Sequence, residues 1–231
     1  MESSGAGIPL NPGVAGVPKD VAIRPEPPEI GARSLYIAGR LLAGASTFFF
    51  LSFVFAFFYL RSLNENNKWA LPAHVKPDHT LGAIVMVCVV VSALLAILAG
   101  RRMKAHAREP GDGHSRGWLG PAAAALLLGL AAVVVQCIQY TGAHFGPTDG
   151  GYASVFYGWT SLYMIAVLAT MYWLETQVAT ELRARRAPAA SSHGDIADAD
   201  RLIAPGLDAA VFFWCYLAGI GVVTWVCLYL V

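Results

Sequence analysis

The side chains able to do chemistry in this chain are few and scattered. The histidines are His74, His79, His106, His114, His144 and His193, and each falls outside the predicted spans. Cys88, Cys137, Cys215 and Cys227 stand alone, with no C-x-x-C, no C-x-x-C-H and no cysteine pair beside a histidine. Haem held between helices needs His, Met or Cys as axial ligands, and zinc or copper needs several ligands at once. Met86, Met164, Met171 and four isolated cysteines do not form such a set. Isolated cysteines in apolar helices behave as small hydrophobes. His144 and Asp149 share a Gly-rich loop, but two ligands are too few for a metal. The chain has no phosphate-cradling glycine loop, nucleophile elbow or paired-His zinc motif. Glu175, near the cytoplasmic end of the fourth span, is the one candidate intramembrane carboxylate. Beside Glu181, Arg183, Arg185 and Arg186 it reads as interfacial, so a proton relay through this chain alone is not expected. The chain is expected to bind no cofactor and to have no catalytic or metal-binding residues of its own.

The chemistry that the apolar runs do hold is neutral. Residues 118–178 read as two helices joined by the turn-rich TGAHFGPTDGG. The first ends in Gln136, Gln139 and Tyr140, and the second carries Thr160, Ser161 and Tyr163. Polar groups facing lipid are costly, so both bands are expected to face protein or bound headgroups. A spacing of three puts Gln136 and Gln139 on one helical face. If the two helices pair as a hairpin, these amides face Thr160 and Tyr163 in a hydrogen-bonded patch. Each interhelical bond there is worth about 0.6 kcal/mol.

The elements that must position these groups follow from composition. Of 231 residues, 56% are hydrophobic and 13% charged, against about 25% charged in soluble domains. Runs near 35–60, 80–100, 119–140, 153–177 and 208–231 are long enough to cross a hydrocarbon core. The predicted fold is an all-α integral membrane bundle of five transmembrane helices. Thirteen Lys and Arg fall on the N-terminal side of these spans and three, Arg61, Lys68 and Lys76, on the other. The N-terminus is therefore expected in the cytoplasm and the C-terminus outside. A net charge of +1 gives no reason to expect nucleic acid as a partner.

Residues 1–33 hold six prolines and no apolar core, so a disordered cytoplasmic tail without a cleavable leader is expected. The 181–207 segment reads as a flexible loop, with Asp208 capping the last helix after Pro205 and Gly206. Seven phenylalanines between Phe48 and Phe58 point all round their helix, the mark of packing and not of a cofactor box. Ser92, Ala96 and Gly100, and again Ala125 and Gly129, provide small faces for close helix contact. Arg101, Arg102 and Lys104, with Arg183, Arg185 and Arg186, stand where anionic headgroups lie, which makes bound phospholipid an expected partner.

Taken together, residues 32–231 resemble subunit III of the haem–copper respiratory oxidases (cytochrome c oxidase) in its short five-helix bacterial form. Ser46 and Thr47 precede FLSFVFAFFY, where the family has a Ser-acid pair before a similar run. Gln136 and Gln139 stand at the family's E-x-x-E. Gly158-Trp159-Thr160-Ser161-Leu162-Tyr163 matches its G-T-H-G-x-H, with Thr160 and Tyr163 at the histidines. Trp214-Cys215-Tyr216-Leu217-Ala218 stands where the family's last helix begins W-H-F-x-D. The charged signatures are thus neutralised, which marks a diverged member. The resemblance implies a non-redox accessory subunit of the bacterial plasma membrane. It would pack on catalytic subunit I, where haem and copper reside, stabilise it in aerobic electron transport, and hold lipid. The alternatives are the related accessory subunit of a nitric oxide reductase and a small transporter lined by Gln136, Gln139, Thr160 and Tyr163.

Overall fold

The computed structural model describes residues 28–64, 68–69, 71, 76–108, 117–186 and 193–231. They form α1 (Pro28–Ser62), α2 (His79–Arg108), α3 (Leu119–Gly142), α4 (Gly151–Arg186) and α5 (His193–Trp225), closed by a π-turn over Val226–Leu230. Among the described residues no strand occurs. Each helix contains a stretch long and apolar enough to cross a membrane. The protein is an all-helical, five-span membrane bundle.

α2 and α3 form the most extensive contact, and α5 packs on α1, α2 and α4, which makes it the hub. The small faces let the backbones meet. Ser92, Ala96 and Ala125 are fully buried, and the Ser92 hydroxyl donates to the Ala125 carbonyl at 2.7 Å, tying α2 to α3. Gly129 lies where three helices converge: a Cβ there would sit 3.0 Å from Met171 Sδ on α4 and 3.2 Å from Trp214 on α5. The phenylalanines of α1 divide by direction. Phe48 is 80% exposed, whereas Phe50 and Phe57 are buried, and Phe53 stacks on Trp159 of α4.

Several boundaries differ from the sequence expectation. The tail predicted to run to residue 33 gives way to helix at Pro28. Proline suits a first helical position, where its missing N–H has no intrahelical partner to lose. Residues 1–27 lie outside the described part. α2 continues to Arg108 and takes in His79 at its start, so that histidine belongs to a span after all. The expected 181–207 loop is mostly helix: α4 reaches Arg186 and α5 begins at His193. Glu, Leu, Arg and Ala are strong helix formers, which explains the polar extensions. Asp208 is not a cap. It lies well inside α5, beyond Pro205, and its carboxylate meets Lys104 Nζ at 2.6 Å. Ile203 and Leu207 bracket Pro205 and are buried, so packing holds the helix through the proline.

Candidate interhelical polar site

The last turns of α3 place Gln136 and Gln139 on one buried face, at 2% and 3% exposure. Gln136 Nε2 donates to Gln139 Oε1 at 3.1 Å. Gln139 then reaches two other elements. Its Nε2 donates to the Asp78 carbonyl at 3.1 Å, and its Oε1 accepts from the Tyr229 hydroxyl at 2.9 Å. Asp78 is held for this task because its carboxylate caps α2, accepting from the Thr80 and Leu81 amides at 2.8 and 3.2 Å. Tyr229 sits in the terminal π-turn. Gly82 makes room for it, since a Cβ there would collide with the Tyr229 ring. The His79 ring packs edge-on against the same tyrosine. A second tie fixes the turn, where the Tyr152 hydroxyl donates to the Leu228 carbonyl at 2.5 Å.

The α3–α4 contact is made by Tyr140. Its hydroxyl lies 2.7 Å from Thr160 Oγ1 and 3.3 Å from Ser161 Oγ. Thr160 donates its one proton to the Phe156 carbonyl at 2.6 Å, so Tyr140 is the donor toward Thr160. Tyr163 turns to α5 and donates to the Leu217 carbonyl at 2.9 Å. Gly221 permits this, because a Cβ there would collide with the Tyr163 hydroxyl. Gln136, Thr160 and Tyr163 border a chamber of about 20 Å³ together with Thr224, Trp225 and Tyr229. On α1, Thr47 Oγ1 lies 3.1 Å from the Tyr216 hydroxyl of α5.

The structure therefore brings Gln136, Gln139, Tyr140, Thr160 and Tyr163 toward one end of the bundle, but bonded in three directions: Gln139 away from α4, Tyr140 to Thr160, and Tyr163 to α5. Gln139 turns to α2 and the C-terminal turn instead of to α4. Sequence reasoning missed Asp78, Tyr152 and Tyr229. Asp78 contributes a backbone carbonyl that no side-chain pattern encodes. Tyr229 lies in an apolar run like any packing residue, and only the glycine at 82 hints that something large approaches there.

The basic residues lie at the opposite end. Arg101, Arg102, Lys104 and Arg183 are exposed, while the side chains of Arg185 and Arg186 lie outside the described residues. Two of the four are engaged within the protein: Lys104 pairs with Asp208, and an Arg102 guanidinium nitrogen donates to the Gly117 carbonyl at 2.9 Å. In the α3–α4 loop, Asp149 is occupied by the turn itself, accepting from the Gly146 amide at 2.7 Å. Gly150 follows with φ 152°, a conformation that only glycine adopts readily, and releases the chain into α4. Among the described residues no three His, Cys, Asp or Glu side chains gather as metal ligands.

The fold and this network define a multi-pass helical membrane protein, with uncharged hydrogen bonds joining its helices at the Gln139 end. Neither the models of known families nor the curated proteins provide a match for the chain.

Proposed function

We propose that this chain is a non-redox accessory subunit, subunit III-like, of a haem–copper terminal oxidase in the bacterial plasma membrane, with its N-terminus in the cytoplasm. It stabilises the catalytic subunit by presenting a rigid bundle to it, and it holds phospholipid. What supports the reading is the use made of the positions that carry the resemblance. Thr47, Gln139, Tyr140 with Thr160, and Tyr163 each connect different helices. The family's charged residues are replaced here by groups that join helices without charge. Such a bundle suits a scaffold role, because neutral ties persist whatever the protonation state around them. The experiment is affinity purification of the tagged chain from native membranes in mild detergent, followed by mass spectrometry. A co-eluting haem–copper catalytic subunit supports the reading. Recovery of the chain alone, or with a nitric oxide reductase, rejects it.

A further inference from the structure

The five spans are not covered equally. α1 is the least covered, packing on α5 and α4 along one side and leaving the other open. The open side is chemically distinct. Six of the eight exposed phenylalanine and tyrosine side chains among the described residues belong to α1. The large apolar side chains that α2 and α3 expose are all aliphatic, such as Leu94 and Leu130.

On α1 the exposed groups are ordered. Leu41, Phe48 and Phe55 repeat every seven residues and Tyr59 lies one turn beyond, so all four fall on one stripe. The Phe55 and Tyr59 rings stack at 5.5 Å. Gly44 sits in the same stripe with open space before it. Gly39 meets Ala209 near the Lys104–Asp208 pair, so the neighbouring Arg40 flanks the stripe at that end. Its guanidinium lies 3.2 Å from the centre of the Tyr36 ring and 4.7 Å from that of Phe212, and it donates to the Tyr36 carbonyl at 3.2 Å. No carboxylate among the described residues pairs with it.

Lipid chains are as apolar as leucine, so an aliphatic face suffices for them. Helix association within a membrane is driven by packing, to which rigid rings bring large contact area at little entropic cost and a glycine brings close approach. Aromatic residues and arginine are also the side chains enriched in protein interfaces. A guanidinium held by two rings and a carbonyl is pre-organised, and its remaining N–H groups match the two oxygens of a carboxylate.

We propose that this stripe of α1 is the face covered by a transmembrane helix of the catalytic partner. That helix approaches closely at Gly44, packs against Phe48, Phe55 and Tyr59, and supplies a carboxylate to Arg40. The proposal rests on the accessory-subunit reading and names the face through which the partner is held.

The test places the photo-crosslinking residue p-benzoylphenylalanine at Phe48 or Phe55, and as controls at Leu94 or Leu130, of the tagged full chain in its native membranes. Adducts are identified by mass spectrometry. The Phe48 and Phe55 positions should capture the catalytic subunit, and the Leu94 and Leu130 positions lipid. Phe48→Ala with Phe55→Ala should cut recovery of the catalytic subunit at least about tenfold, since a few central anchors carry most of an interface's binding energy. Arg40→Gln should cut it as well and Arg40→Lys less, while the thermal melt of the isolated chain shifts little. Recovery at the unsubstituted level in these variants, or cross-links to the catalytic subunit from Leu94 or Leu130 and not from Phe48 or Phe55, overturns the proposed face and leaves the accessory-subunit reading standing. Capture of lipid alone, or of a second copy of this chain, at Phe48 and Phe55 overturns it likewise. A chain that purifies without any catalytic subunit overturns the reading itself, and the face with it.

Discussion

Replacing Gln139 with leucine removes the node at which three elements meet. The wild-type amide makes one bond to Asp78, one to Gln136 and one to Tyr229. The Gln136 bond lies within α3, so the two bonds to other elements, at about 0.6 kcal/mol each, give a loss of about 1 kcal/mol. The substitution also leaves the Gln136 amide and the Tyr229 hydroxyl unpaired in the interior, and a buried orphan donor costs about 1–3 kcal/mol. The expected destabilisation is therefore about 2–4 kcal/mol. Tyr229→Phe removes a single bond and leaves Gln139 Oε1 with Gln136, so it should cost about 0.6 kcal/mol. The two changes should not add. In the Gln139→Leu background the tyrosine hydroxyl is already an orphan, and Tyr229→Phe should be neutral or stabilising. Reversible unfolding of the four variants in mixed micelles measures the coupling directly. A loss below about 0.5 kcal/mol for Gln139→Leu, with strict additivity, refutes the reasoning.

Three further outcomes follow from the packing. Gly221→Ala forces a methyl onto the Tyr163 hydroxyl, so it should cost about 1–3 kcal/mol, and Tyr163→Phe should recover part of that loss in a thermal melt of the double variant. Gly129→Leu, at the α3–α4–α5 junction, should lower the folded yield or the melting midpoint sharply. Gly129→Ala should be far milder, because the flexible Met171 can give way. Lys104→Ala breaks an ion pair whose side chains are 56% and 41% exposed. It should change stability by less than about 0.5 kcal/mol and less still at high salt, as read from melts at two ionic strengths.

The five spans were legible because lipid-facing and core-facing residues are both apolar, so hydropathy alone finds them. Helix ends were not. Residues 101–108 and 181–186 are charged, and the sequence reading stopped where the apolar run stopped, whereas the hydrogen-bond ladder continues through good helix formers. Pro205 and Gly206 read as a turn, but burial of Ile203 and Leu207 carries α5 across them. Within the site, spacing placed Gln136 and Gln139 on one face, and the structure bonds them to each other. The partners of Gln139 were out of reach: one is a carbonyl 61 positions away and the other a tyrosine 90 positions away in an apolar terminus. Periodicity reports which face a residue occupies, not which distant element covers that face. The resemblance directed attention to Gln139 and Thr160 but implied nothing about Tyr229, which matches no motif quoted above.

The most direct measurement of the accessory-subunit account is a reduced-minus-oxidised absorbance spectrum taken on two preparations. One is the tagged chain purified from its native membranes, and the other is the same chain produced alone in a host lacking the partner. The account predicts haem bands in the first, in proportion to a co-purified catalytic subunit, and none in the second. Haem bound to the chain produced alone, or no haem in either preparation, would contradict it.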